Sequence, residues 1–277
     1  MQPIYTPCGR AMSIVFFASG GPGNFAAALA FCDESPDLAT LPVLVADRPK
    51  TPAARLARER GITVVEHDFE AFCGSWRRVA GDPHAEATYR RRAREFHDGI
   101  EGELAAFSRE SGRPLDLAVL AYRRIIRGTL LDRFRNRMIN QHPADLAVRQ
   151  DGRRSYVGIS GLRRSIEQGV LFTRTSTILV TCGVDTGPIL CRGPSVRVRR
   201  DEKAGSVDVE AHENLQKQLS DWPSLTFALN GIAEGRFALC STEHDFDSNP
   251  RLTYDGRPLG PGGVDLDLMA FKAGLRT

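Results

Sequence analysis

The sequence predicts an α/β chain built on a doubly wound, mostly parallel sheet. Two observations carry that expectation. Ser13 to Ala18 (SIVFFA), Leu41 to Ala46 (LPVLVA) and Leu115 to Ala121 (LDLAVLA) are apolar runs of strand length. They show almost no polar alternation, as expected of strands covered on both faces. Segments of helical pattern separate them, and the first run empties into Ser19-Gly20-Gly21-Pro22-Gly23. Strand, turn and helix repeating in that order mark a parallel sheet with helices on both sides.

Taken in order, Ser13 to Ala18 is the first strand, and Asn24 to Phe31 reads as a helix with Asn24 as its N-cap. Leu41 to Ala46 is the second strand. Thr51 caps the next helix, Pro52 sits in its first turn and Gly61 ends it. Ile62 to Val65 is a third strand, and a long polar helix is expected between Glu86 and Glu110. Leu115 to Ala121 and Arg137 to Asn140 supply two more strands. Leu162 to Gln168 reads as a helix ended by Gly169. Thr173 to Thr181 and Ile189 to Val198 read as strands flanking the loop Cys182-Gly183-Val184-Asp185-Thr186-Gly187-Pro188. Val207 to Ala233 is a helical region interrupted by Pro223. Asp255-Gly256, between the extended runs of Arg251 to Leu259, signals a hairpin. The expected division is an α/β domain over 1–240 and a C-terminal extension over 241–277 that carries this hairpin.

Composition narrows the function classes. A chain of 277 residues, 42% hydrophobic and 26% charged, can bury a core without disulfide or metal staples. No run nears the roughly 18 apolar residues of a membrane span. Met1 to Arg10 holds Pro3, Pro7 and Gly9 and no long apolar stretch, so no secretory signal and a cytoplasmic location are expected. The six cysteines form no C-x-x-C pair and the six histidines no H-E-x-x-H, so no metal site is expected. A net charge of +3 is too small to imply nucleic-acid binding. Between Arg123 and Arg154, however, nine arginines stand against Asp132, Asp145 and Asp151. They would suit an anionic ligand, or equally form solvated helix faces.

Three constellations could carry chemistry. Gly21-Pro22-Gly23-Asn24-Phe25-Ala26 fits the G-x-G-x-x-G/A dinucleotide pattern, with Asp47 placed for a ribose. That would make a nicotinamide oxidoreductase, although Pro22 removes a loop amide. More generally, Ser19, Gly20, Gly23 and Asn24 could cradle an anionic substrate at a helix N-terminus, or simply make a tight turn. Next comes Asn140-Gln141-His142-Pro143. Residues two apart on an extended chain point the same way, and Pro143 keeps His142 extended. Asn140 and His142 therefore face one cleft, where an amide and an imidazole can stabilise an oxyanion and move a proton. A histidine merely hydrogen-bonded at a strand end fits as well. Last, Asp185 between Gly183 and Gly187 either caps a turn or presents a carboxylate over the sheet end.

In this order, the pieces resemble the 10-formyltetrahydrofolate-dependent formyltransferase fold family, of the glycinamide ribonucleotide formyltransferase type. The resemblance rests on Ser19 to Asn24, on Val119 to Ile126, on Asn140 to Pro143, on the helix between Gly158 and Gly169, and on Asp185 to Ile189. It implies a Rossmann-like formyltransferase fold and N-formyl transfer from 10-formyltetrahydrofolate to a small-molecule amine. It also implies Asn140, His142 and Asp185 as the catalytic set. Asn140 and a protonated His142 would stabilise the oxyanion, and Asp185 would hold the imidazolium and relay a proton. Tyr122, Arg124, Ile125, Ile126, Val180 and Val184 would line the folate pocket. Ser19, Gly20, Gly23 and Asn24 would bind the acceptor. The chain departs from glycinamide ribonucleotide enzymes at Ala144 to Ala147, Gly158 to Leu162, Ile178 and Leu219 to Pro223, which implies another acceptor. Arg149, Arg153, Arg154, Arg163 and Arg164 suggest a phosphorylated or carboxylated amine. A formyltetrahydrofolate hydrolase, with water replacing the amine, is the alternative, and a non-catalytic binding protein on the same fold is a further one. An oligomer is compatible with either enzyme, and neither requires a metal.

Overall fold

The apolar runs assemble, in a computed structural model that describes residues 1–201, 205–245 and 247–272, into one eight-stranded sheet. Its order is Val264–Asp265, Ile189–Arg192, Ser176–Leu179, Met138–His142, Leu117–Ala121, Met12–Ala18, Ala39–Ala46, Thr63–Glu66. All neighbours from Met138–His142 to Thr63–Glu66 are parallel. Ser176–Leu179 lies antiparallel to both of its neighbours.

Strand alternation sorts the core into two layers. Ile14, Phe16, Leu44 and Val119 pack under the helices Gly23–Glu34 and Trp222–Ala233. Val15, Phe17, Val45 and Ala118 pack under the long helix Pro83–Ser111. Phe16 and Phe17 are both fully buried, each contributing about 1.5–3 kcal/mol through apolar burial. Thr51 caps Pro52–Glu59 as expected, its hydroxyl accepting from the Ala54 N–H at 3.1 Å.

Several boundaries differ from the sequence reading, each for a local reason. Asn24 is not a cap: the helix starts at Gly23, with Pro22 before it and no side-chain cap. The Pro22 ring already fixes a helical φ, so Asn24 falls inside the first turn. The strand expected over Thr173 to Thr181 is divided into Phe172–Thr173 and Ser176–Leu179. Its partner breaks at Gly193-Pro194, where proline offers no ladder N–H, into Ile189–Arg192 and Val196–Arg197. The outer pieces pair with each other as a separate ribbon. The late helix bridges its break with a π-turn at Lys217–Asp221 just before Pro223, whose missing N–H would otherwise leave the helix broken.

Phe237–His244 is a strand the sequence reading did not find, and the boundary expected at 240 falls inside it. It pairs with Gln2–Pro3 on one side and Pro250–Tyr254 on the other. The Asp255-Gly256 turn has positive φ at both residues and joins Pro250–Tyr254 to Arg257–Pro258. Val264–Asp265 then returns to the main sheet beside Ile189–Arg192.

Candidate active site

A doubly wound sheet opens a crevice where successive connections leave its middle strands in opposite directions. Here that point lies beyond Ala18 and Ala121, whose strands are neighbours while their helices cover opposite faces. Ser19 closes the floor: its hydroxyl accepts from the Arg123 N–H at 2.8 Å, and its carbonyl accepts from Arg48 Nε at 2.8 Å. Gly20 lies close under Arg48, so a Cβ there would stand 3.2 Å from Nη2. Gly23 lies against the Trp222 indole, and Asn24 is half-buried beside it. The indole N–H is buried without a partner among the described residues.

The residues after the Leu117–Ala121 strand divide sharply. The Tyr122 ring packs edge-on against Phe17 at 5.6 Å and His97 at 6.1 Å. Burial holds its phenol protonated well above the usual range. Arg124 Nε donates to Asp47 Oδ2 at 2.5 Å while its guanidinium lies over the Phe69 ring at 4.6 Å. Ile126 is buried. Ile125 is 51% exposed and Val184 49% exposed. Val180 is half-buried, its N–H donating to the Met138 carbonyl. Asp47 is 0% exposed and paired with Arg124. Its other oxygen, Oδ1, is buried without a partner among the described residues, so the carboxylate faces no open surface from which a ribose could reach it, which argues against the dinucleotide reading of the glycine loop.

Met138–His142 runs two residues further than expected, which places Asn140 and His142 on one side of its end. Gln141 points the other way, donating to Thr177 Oγ1 at 2.8 Å. The His142 ring is 3% exposed. Its Nε2 lies 2.7 Å from the Tyr156 carbonyl oxygen, and its Nδ1 lies 3.4 Å from Asp185 Oδ2. A carbonyl can only accept, so Nε2 carries the proton and Nδ1 of the neutral ring is a bare acceptor facing a carboxylate. Burial pushes the imidazole below its usual pKa while Asp185 pulls the other way. Burial thus favours the neutral ring, whose Nδ1 can accept a proton. The expected donation from protonated His142 to an oxyanion finds no open ring nitrogen in this geometry. Among the described residues, no hydrogen bond holds the half-buried Asn140 amide, which leaves it as the donor available to a ligand.

Asp185 adopts φ +53°, a left-handed conformation that costs a non-glycine residue roughly 1–2 kcal/mol. Its Oδ2 accepts the Gly158 N–H at 2.6 Å. Gly161 closes the same corner, because a Cβ there would come within 2.2 Å of the Tyr156 carbonyl and 3.0 Å of His142 Nε2. Tyr156 was not singled out by the sequence reading, and Gly158 and Gly161 entered it only as members of a motif, without a role of their own. The glycine spacing ahead of the helix was the available signal. Of the arginines expected to meet an anionic acceptor, Arg149 and Arg154 bind Asp247, and Arg164 binds the Val157 carbonyl. Arg153 and Arg163 are exposed. Among the described residues, no group of three His, Cys, Asp or Glu could hold a metal ion, and no helix is long and apolar enough to cross a membrane.

A family model described as formyl transferase matches residues 12–221. The phosphoribosylglycinamide formyltransferase of Mycobacterium tuberculosis is 38% identical over 80 residues, 28% of this chain and 34% of that protein. The match thus spans about a third of that relative's length. A crystal structure of glycinamide ribonucleotide transformylase 1 from Symbiobacterium toebii superposes with a TM-score of 0.64 at 25% identity, covering 84% of this chain and 93% of that one. A formyltetrahydrofolate deformylase from Pseudomonas syringae shares the fold at 19% identity, with a TM-score of 0.58 over 84% of this chain and 64% of that one.

Proposed function

The chain belongs to the formyl transferase family, and we propose that it is an N-formyltransferase moving the formyl group of 10-formyltetrahydrofolate to a small-molecule amine. The observation that carries this reading is the convergence of Asn140, His142 and Asp185 at the carboxyl end of the sheet. The donor supplies an electrophilic formyl carbon, and this chain's residues do the rest. Asn140 donates its amide N–H to the formyl oxygen as that oxygen gains charge on attack by the amine. Asp185, 11% exposed, is the member of the pair that reaches the cleft. It takes the amine proton, which His142 Nδ1 then shares. The same proton returns to the departing folate nitrogen as its bond to the formyl carbon breaks. Ile125 and Val184, exposed apolar side chains, would suit the flat ring of the donor. Ser19, Gly20, Gly23 and Asn24, with Trp222 against Gly23, would bind the acceptor. An anionic acceptor would rely on Arg153 and Arg163. The reducing cytoplasm is the expected setting.

The test is turnover of 10-formyltetrahydrofolate by the full chain against a panel of phosphorylated, carboxylated and neutral amines, with the product followed by mass spectrometry. Amine-dependent release of tetrahydrofolate with a formylated product is expected. Formate release at one rate with or without every amine would assign hydrolysis instead. No turnover under any condition would refute the proposal.

A further inference from the structure

Two consecutive carbonyls of the Asp185 loop are held by side chains. The Asp185 carbonyl accepts from Arg154 Nη1 at 2.7 Å, and the Thr186 carbonyl accepts from Asn249 Nδ2 at 2.8 Å. Arg154 is 4% exposed, and its Nη2 lies 3.0 Å from Asp247 Oδ2. Arg149 meets the same carboxylate oxygen at 2.5 Å. Asp245 Oδ1 accepts the backbone N–H groups of Asp247 and Asn249, both at 2.9 Å, which sets their two side chains toward the loop. Asn249 is nearly buried. A left-handed Asp185 persists only if its surroundings over-determine it, and these contacts do so from Arg154, 31 residues before it, and from Asn249, 63 residues after Thr186.

We infer that Asp247 and Asn249 are positioning residues that hold Asp185 against His142, which makes this C-terminal segment a working part of the active site. Asp247 acts through Arg154, and Asn249 acts directly. Neither touches the ring, so neither is a catalytic residue. The inference rests on the formyl-transfer reading for its purpose but not for its test.

That test is the side-chain ¹⁵N titration of His142 in the full chain. Asp185, Arg154 and Arg164 are the charged groups acting on the ring. Asp185→Asn provides the reference shift. Asp247→Asn and Asn249→Ser are expected to move the His142 midpoint in the direction of that reference. Added to Asp185→Asn, Asn249→Ser should give no further shift, because the carboxylate it places is already gone. Glu243→Gln, which removes an exposed pairing with Arg251 in the same segment, should leave the midpoint unchanged. A wild-type midpoint in both folded variants would overturn the inference. So would an Asn249→Ser shift that adds to that of Asp185→Asn, an equal shift in Glu243→Gln, or loss of the fold in both variants. A shifted midpoint with unchanged formyl turnover would sustain the positioning and remove the catalytic reading.

Discussion

The two flanks of the central sheet are held by different forces. From Met12–Ala18 to Thr63–Glu66 the contacts are almost wholly apolar, with Val15, Phe17, Val43 and Val45 fully buried. Beyond Met138–His142 buried polar groups join the apolar ones. Ser176 bonds Leu146 and Ala144, Thr175 bonds Asp221, and Arg174 pairs with Asp265. Apolar burial is non-directional and tolerates small displacements, whereas a buried polar network holds only one geometry. The candidate catalytic side chains lie at the seam, on the last parallel strand and on the loop leaving the polar flank.

If the polar flank serves chemistry and the apolar flank serves stability, substitutions should separate the two. The largest expected effect is on rate. His142→Ala and Asp185→Asn should each lower formyl transfer on the order of 10²- to 10⁴-fold, with circular dichroism and melting temperature near wild type. Turnover near the wild-type rate in both variants would break the assignment.

Next comes Arg174, buried between Asp265 and the Gly193 carbonyl. Arg174→Ala removes the two-pronged partner of Asp265 but leaves it Arg192 at 2.9 Å, and should cost about 1–3 kcal/mol in urea unfolding. A loss below about 1 kcal/mol would show that this flank does not depend on its ion pairs.

Acid should pull the flanks in opposite directions. Burial pushes His97, under the apolar flank, down to about 4, and pushes Asp221, under the polar flank, up to about 6. Between pH 6.5 and 4 the unfolded state binds the His97 proton and the folded state does not, so stability falls with pH. Between pH 6 and 3.8 the folded state binds the Asp221 proton and the unfolded state does not, so stability rises as pH falls. Each is worth about 3 kcal/mol and they largely cancel. Relative to wild type, unfolding free energies at pH 6.5 and 4 should therefore show Asp221→Asn weakened further by acid and His97→Gln weakened less. Matching acid responses in the two variants would reject this opposition. The smallest effect is expected at Thr51, where Thr51→Ala should cost about 1 kcal/mol through loss of the cap.

Much of this was legible where the chain pattern is local. The apolar runs announced the parallel strands, Thr51-Pro52 announced a helix start, and Asp255-Gly256 announced a turn. Asn140 and His142 were readable as a same-side pair because extended backbone alternates strictly. The Gly193 break, the π-turn at Lys217–Asp221 and the Phe237–His244 strand were not readable, since each depends on what packs against it. Asp47 misled for the same reason. A carboxylate at a strand end looks free until Arg124, far along the chain, is seen to take it.

The sequence by itself determined the sheet class, the crossing point and the residue types that face it, because burial periodicity and proline and glycine stereochemistry act within a few residues. Only the tertiary structure decided which of those groups are open to a ligand. Arg149, Arg154 and Arg164 were absorbed into internal bonds, His142 Nε2 was tied to the Tyr156 carbonyl with Nδ1 turned to Asp185, and Asn249 was brought to the Asp185 loop. Those outcomes hang on hydrogen bonds and ion pairs between distant segments, whose strength depends on direction and burial, and neither quantity exists until the chain has folded.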